Sequence, residues 1–200
     1  MQLDKLDKHL HDQGAQIADV LEPGLSEHDI DDAVMDAVGL RLPVEARTWF
    51  SWHNGTRPLT LADGRPGAAY LPTGFTVMSL AQAIDDCQSS RMIARDQESE
   101  GLYPAAEWWA PSWFPIAVGA HPALVTVDCA VPAGEPTPIR VVEWDYGEGW
   151  DAICAESLTQ AVGWWVGLLD RGIYRWDSVG RDWEDNWDRI PALLRQTRLV

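Results

Sequence analysis

The segment 144–151 holds the residues whose types and spacing are best suited to chemistry. It reads Trp-Asp-Tyr-Gly-Glu-Gly-Trp-Asp, so Asp145, Glu148 and Asp151 alternate with aromatic rings. Paired carboxylates beside aromatic rings are typical of glycosidase clefts, where the two carboxyl groups carry out acid and base catalysis. The segment therefore offers one hypothesis of catalysis, a carbohydrate-acting enzyme.

The glycines of the same segment favour a different interpretation. Gly147 and Gly149 are typical of a turn between a strand and the next element, in which carboxylates stay solvated. Acids held at the rim of such a turn can pair with arginine or lysine on a partner, which adds steering and specificity to binding. The partner-binding residues predicted here are Asp145, Glu148, Trp150 and Asp151.

Tryptophan is unusually abundant, with 12 residues in 200, and ten of these fall into two groups. One group lies on predicted apolar faces and is expected to pack in the core: Trp49, Trp113, Trp144, Trp164 and Trp165. The other group lies in polar or loop-like contexts: Trp108, Trp109, Trp150, Trp183 and Trp187. In 183–187 the two indoles are spaced one helical turn apart on one side. This segment either folds back to cap the domain or presents Trp183 and Trp187 to a partner.

Other signatures of catalysis or metal binding are scarce in this sequence. It has no nucleophile elbow, no phosphate-binding loop and no zinc-binding helix motif. His9 and His11 are two residues apart, so on a helix they point away from each other. The three cysteines have no C-x-x-C spacing, which favours buried free thiols in a reducing compartment. We expect no catalytic residue, no metal and no cofactor.

Charge is large and unevenly distributed. The net charge is −16; residues 1–38 hold ten acids against Lys5 and Lys8, and 177–188 hold five acids against Arg181. Such a field repels nucleic acid and anionic membranes and attracts basic proteins, although acidity can also serve solubility alone. The N-terminus has no apolar signal core, and the longest apolar stretch, near 164–169, is too short to span a bilayer. We expect a soluble, cytoplasmic protein with a basic protein partner.

The hydrophobic pattern predicts helices at both ends and strands between them. Helices are expected over 3–21, from Ser26 to Val38, from Pro43 to His53, from Ser79 through Ile84, and over 157–169. A polar loop is expected over 96–112. Short strand candidates are 75–78, 113–118, 124–129 and 139–144, separated by Gly or Pro turns. This order predicts an α+β fold with a twisted, mostly antiparallel sheet of about five to six strands, backed by N-terminal helices and a late C-terminal helix.

The middle of the chain resembles the SUKH superfamily, whose founder is a fungal cell-wall assembly regulator and whose bacterial members are largely immunity proteins. The ordered segments that carry the resemblance are Leu42-Pro43, Trp49-Phe50, His53-Asn54-Gly55, 75–80, 113–117, 124–128, 141–145 and 153–158. The predicted organisation is an acidic N-terminal helical arm (1–25), a SUKH-like domain (26–170) and a Trp- and acid-rich C-terminal extension (171–200). One departure lies at 119–122, which reads Gly-Ala-His-Pro where relatives often carry an acid.

The resemblance implies a function without catalysis. Bacterial relatives are thought to neutralise polymorphic toxins, often nucleases, by binding them, so the first hypothesis is an immunity protein against a basic toxin. The acidic surface expected here would complement the basic groove of a nuclease. The second hypothesis is an intracellular scaffold or regulator of cell-wall synthesis, and the third is the carbohydrate-acting enzyme of 145–151.

Overall fold

The computed structural model confirms the α+β fold class. It describes residues 1–61, 64, 67, 69–102, 104–119, 123–143 and 153–200. Within these residues lie six helices, a five-stranded antiparallel sheet and two two-stranded sheets. No helix in the described part of the chain is long and apolar enough to cross a membrane.

The central sheet is a meander, in which each strand pairs with the next one along the chain. Its strands are β3 (Phe75–Val77), β4 (Trp113–Gly119), β5 (Ala123–Asp128), β6 (Ile139–Glu143) and β7 (Ile153–Ala155), in the order β3-β4-β5-β6-β7. Every pairing is antiparallel. The register of β4 against β5 shifts between Pro115 and Ala117. Since proline cannot donate a ladder hydrogen bond, a bulge at this point accommodates it within the sheet.

The helices cover this sheet, and the two small sheets lie beside them. The helices are α1 (Leu3–Asp12), α2 (Glu27–Val38), α3 (Val44–Trp52), α4 (Leu80–Ser99), α5 (Ala105–Trp108) and α6 (Leu158–Asp170). The small sheets pair β1 (Leu21–Pro23) with β2 (His53–Thr56) and β8 (Tyr174–Asp177) with β9 (Asp182–Asp185). Short 3-10 turns occupy 16–19, 187–189 and 194–196.

Serine caps the start of three of these helices, α2, α4 and α6, at the positions where the sequence predicted that they begin. Ser26, Ser79 and Ser157 each accept a hydrogen bond from the backbone N–H three residues on. At Ser79 the Gln82 side chain also accepts from the serine backbone, which completes a capping box. These bonds satisfy N–H groups that have no partner inside the helix.

Several predicted boundaries are wrong, including the end of the helix expected from Ser79 through Ile84, which runs to Ser99. The N-terminal helix ends at Asp12 instead of residue 21, because Gly14 turns into the left-handed region (φ +65°) and Ala15 N–H bonds back to the Leu10 carbonyl. Ile17 still reaches the core from the following 3-10 turn, so the apolar spacing continued past the real end of the helix. The predicted loop 96–112 instead contains the end of α4 and the whole of α5.

The buried tryptophans are not the same set as the predicted ones: Trp164 is only half-buried, and Trp144 lies outside the described residues. Trp49, Trp113 and Trp165 are buried as expected, but Trp109, predicted to lie in polar surroundings, is also buried at 2% exposure. Trp165 donates its indole N–H to the Leu199 carbonyl at 2.7 Å, which fixes the end of the chain. A buried indole needs such an acceptor, because an unmade hydrogen bond in the interior is costly.

The carboxylate of Glu45 joins three separate parts of the chain. It accepts backbone hydrogen bonds from Thr137 at 3.0 Å, from Leu158 at 3.3 Å and from Thr159 at 3.1 Å. The last two N–H groups belong to the first turn of α6, where the helix dipole also favours a negative charge. Glu45 therefore holds α3 against the start of α6 and the loop that precedes β6.

Replacing Glu45 with glutamine should lower the free energy of unfolding by about 2 kcal/mol, since charge-assisted hydrogen bonds become neutral and one acceptor oxygen is lost. Urea denaturation followed by tryptophan fluorescence measures the loss. E135Q is the control, because Glu135 is exposed in the neighbouring loop. Equal stability of E45Q and E135Q would contradict this role.

Candidate partner-binding surfaces

Of the two segments predicted to bind a partner, the structure describes the C-terminal tail but not residues 144–151. Residues 144–152 lie outside the described residues, so the predicted contacts of Asp145, Glu148, Trp150 and Asp151 stay predictions. Of the departure from the family pattern at 119–122, residues 120–122 also lie outside them. The tail that carries Trp183 and Trp187 is described completely.

The tail does not form the helical turn that the spacing of Trp183 and Trp187 suggested. Trp183 lies in β9 of the β8–β9 hairpin, whereas Trp187 begins the 3-10 turn that follows. In the hairpin, Trp176 and Trp183 pair directly across the strands, as do Arg175 and Glu184 one position away. Because side chains alternate along a strand, one face of the hairpin is aromatic and the other is charged.

Trp183 attaches the hairpin to the domain. Its ring meets Trp176 edge-on, with 5.3 Å between centroids, and its indole N–H donates to the Tyr70 carbonyl at 2.9 Å. The Trp176 backbone N–H in turn donates to the side chain of Gln13, just after α1, at 2.8 Å. Trp187 differs, because 49% of its surface is exposed. Trp183 therefore packs against the domain and Trp187 is the more exposed of the two indoles, while contact of either with a partner stays a prediction.

The hydroxyl groups of two tyrosines at this hairpin are harder to ionise than usual. Burial, followed by the Asp185 carboxylate, raises the pKa of Tyr174 to about 12. Burial, followed by a 2.6 Å hydrogen bond to Asp182, raises the pKa of Tyr70 to about 12. Both groups therefore hold the proton more firmly in the folded chain than in the unfolded chain.

A second surface lies on the outer side of α2. Ile30 and Val34 are fully buried, whereas Asp29, Asp32 and Asp36 are exposed on the opposite side. The spacing of these three acids, i, i+3 and i+7, places them within about 60° of the helix circumference. We call Asp29, Asp32 and Asp36 the acidic row.

Few cations neutralise the acidic row. Arg47 approaches Glu27 at 3.8 Å and Asp31 at 3.7 Å, which are the other two acids of α2. Asp32 has only His28 beside it, at 3.4 Å, and Asp36 makes no ion pair with any residue that the structure describes. The row therefore faces solvent with most of its negative charge uncompensated.

The acids of α1 have more local compensation. Lys8 hydrogen-bonds Asp12 and lowers the pKa of that carboxyl group. Lys5 and His9 both reach Asp170 at the end of α6, and the bond from Lys5 is the main reason that the pKa of Asp170 is lowered. These cations attach α1 to α6 and reduce its negative field, so α2 presents the stronger anionic surface.

Sequence reasoning found the apolar stripe of α2 but missed the acidic row behind it. The signal was present, because a helical wheel drawn from Ser26 to Gly39 puts the three aspartates on one side. In the described part of the chain, no group of three or more histidine, cysteine, aspartate or glutamate residues is arranged to hold a metal ion.

No protein-family model matches this chain, and a search of curated proteins finds no similar sequence. The resemblance to the SUKH superfamily therefore stays a prediction from the ordered sequence segments. The function has to be argued from the surfaces themselves.

Removing one negative charge should change the stability of the protein in opposite directions at the two ends of α2. Asp29 lies in the first turn and accepts a 2.6 Å bond from the Ser26 hydroxyl, so D29N should lower the free energy of unfolding by about 0.5 kcal/mol. Asp36 lies in the last turn, which holds no basic residue, so D36N should raise the free energy of unfolding by a similar amount. Urea denaturation compares them; destabilisation by D36N would show that Asp36 supports the fold.

Stability should fall above pH 10 because of Tyr70 and Tyr174. Since their folded-state pKa values exceed the unfolded value of about 10, their contribution is complete below that pH and disappears as the pH rises towards 12. Urea midpoints across this range should decline less in Y70F/Y174F than in the wild type. Identical slopes would show that neither hydroxyl is linked to folding.

Proposed function

We propose that this chain is a non-catalytic module that binds a basic protein, acting as an immunity protein that neutralises a toxin such as a nuclease. The observation that carries the proposal is the acidic row on α2. A nuclease must present cations to bind phosphate, and an exposed row of carboxylates is complementary to such a groove.

The stability of α2 explains Asp29, which lies in its first turn, but it does not explain Asp32 and Asp36. Asp32 and Asp36 are four residues apart, where like charges repel, and Asp36 lies near the negative end of the helix dipole. Solubility requires net charge but no particular alignment on one side of one helix. Binding to a cationic surface gives the alignment a physical purpose.

The fold holds the acidic row in a fixed position, which supports recognition. The α2 carbonyls at its C-terminal end are capped from α4, where Gln88 donates to Ala37 at 3.1 Å and Arg91 donates to Val38 at 2.8 Å. Gly39 closes the helix in a left-handed conformation. The backbone that carries these carboxylates is therefore already ordered, so binding a partner does not cost the entropy of ordering it.

Exposed apolar groups on α2 and on the tail can anchor a partner. Met35, on α2 next to the row, is 39% exposed, and Trp187 of the tail is 49% exposed. Charges mainly steer the encounter and set its rate, while buried aromatic and methionine contacts slow dissociation. The acidic row would take the first role, and Met35 and Trp187 the second.

The test is binding to the product of the neighbouring gene, measured by biolayer interferometry and by growth on co-expression. The wild-type chain should form a 1:1 complex whose association rate falls with salt and should protect the cell. D29N/D32N/D36N should associate about tenfold more slowly, because steering depends on these charges.

The matched control removes the same amount of charge elsewhere. E100Q/E135Q/E156Q replaces three exposed acids outside α2. It should protect and associate nearly as well as the wild type. If both triple variants associate equally slowly, the effect comes from net charge alone and not from the acidic row. If the wild-type chain forms no complex and gives no protection, the immunity proposal is wrong.

A further inference from the structure

A cavity of about 340 Å³ lies where the end of α2 meets α4, α5 and the loop before β4. Its volume is near the lower end of the range for sites that hold small molecules. Most of the wall is apolar, and its charged groups are guanidinium groups. The residues used in the argument below are Val38, Leu40, Arg91, Arg95, Trp109 and Pro111.

Arg91 fixes the shape of the cavity. One of its terminal nitrogens donates to the Val38 carbonyl at 2.8 Å, and the other donates to the Pro111 carbonyl at 2.6 Å. The arginine therefore ties the α2 wall to the loop wall. Both acceptors are neutral, and no carboxylate lies within ion-pair distance of Arg91 among the described residues, so its positive charge persists at the cavity.

Arg95 is the cation that a ligand can reach. It lies one helical turn after Arg91 on α4, so the two side chains share a face of the helix. Arg95 is exposed and makes neither a hydrogen bond nor an ion pair with the residues that the structure describes. Glu98, one turn further, uses a carboxylate oxygen to accept the Ala105 N–H at 3.3 Å.

The sign of the local charge is opposite to that of the whole chain. The net charge is −16, yet the described lining of this cavity holds two guanidinium groups and no carboxylate. At physiological ionic strength the Debye length is about 8 Å, so the two guanidinium groups outweigh distant surface acids, and the nearby Glu98 carboxylate is held by the Ala105 N–H. An anion is therefore favoured inside the cavity.

We propose that this cavity binds a small monocarboxylate with an apolar body. Arginine presents a planar fork of donors that matches the two oxygens of a carboxylate, and none of the described residues accepts a hydrogen bond from Arg95. The apolar body would lie against Val38, Leu40 and the buried Trp109. This inference does not rest on the partner-binding proposal, since it uses neither the acidic row nor the tail.

Phenylacetate is the probe for the test, and phenylacetamide is its uncharged counterpart. The full chain, labelled with ¹⁵N, is titrated with each, and two-dimensional NMR follows the Trp109 indole and the Ala105 and Ala106 amides. Phenylacetate should produce saturable shifts at these groups at millimolar concentration, while phenylacetamide should produce far smaller ones. Equal effects of acid and amide, or no shifts with phenylacetate, would overturn the proposal.

The variant R95Q locates the carboxylate. It should weaken phenylacetate binding about tenfold, because the paired donor fork is lost. R175Q removes an exposed arginine from the distant β8 strand and should leave binding unchanged. Thermal unfolding confirms that both variants are folded, and equal affinities of R95Q and R175Q would contradict a carboxylate site at Arg95.

Discussion

The indole of Trp49 links the main layers of this fold. It is fully buried, and its ring meets that of Trp165 in α6 edge-on, with 6.2 Å between the ring centroids. It also donates its N–H to the Ile116 carbonyl of β4 at 3.2 Å. That carbonyl lies at the bulge beside Pro115, where the regular ladder is interrupted. The Met78 N–H donates to the same carbonyl at 3.4 Å, so the buried indole obtains its acceptor by sharing a carbonyl at the edge of the bulge.

Packing around Trp49 also determines where charge can lie. Because α3 and α6 bury their apolar faces near this indole, α2 can cover α3 with one side and leave the acidic row on the other. The same helix ends at the arginine-lined cavity, where Arg91 donates to the carbonyl of its last residue, Val38. An anionic surface and a cationic cavity therefore adjoin one helix. Because salt screens electrostatic interactions within about 8 Å, the potential at each is set mainly by its own charged groups.

Local chemistry explains why much of the fold was predictable. The four predicted strands match β3, β4, β5 and β6 to within a residue or two, because Gly and Pro turns separate short apolar runs. Serine caps marked the starts of α2, α4 and α6. The end of α1 was missed because Ile17 continued the apolar spacing after Gly14 had already ended the helix. Periodicity reports burial, and burial does not require a helix.

The amino-acid sequence by itself determined the α+β class, the excess of negative charge and the caps that begin the helices, since these depend on composition and on neighbours within a few residues. Tertiary structure decided which tryptophans are buried and which charges stand alone. Trp109 entered the core, Trp183 paired with Trp176 across a hairpin, and Arg95 came to line a cavity. Each outcome depends on residues far apart in the chain, whose proximity no local pattern records.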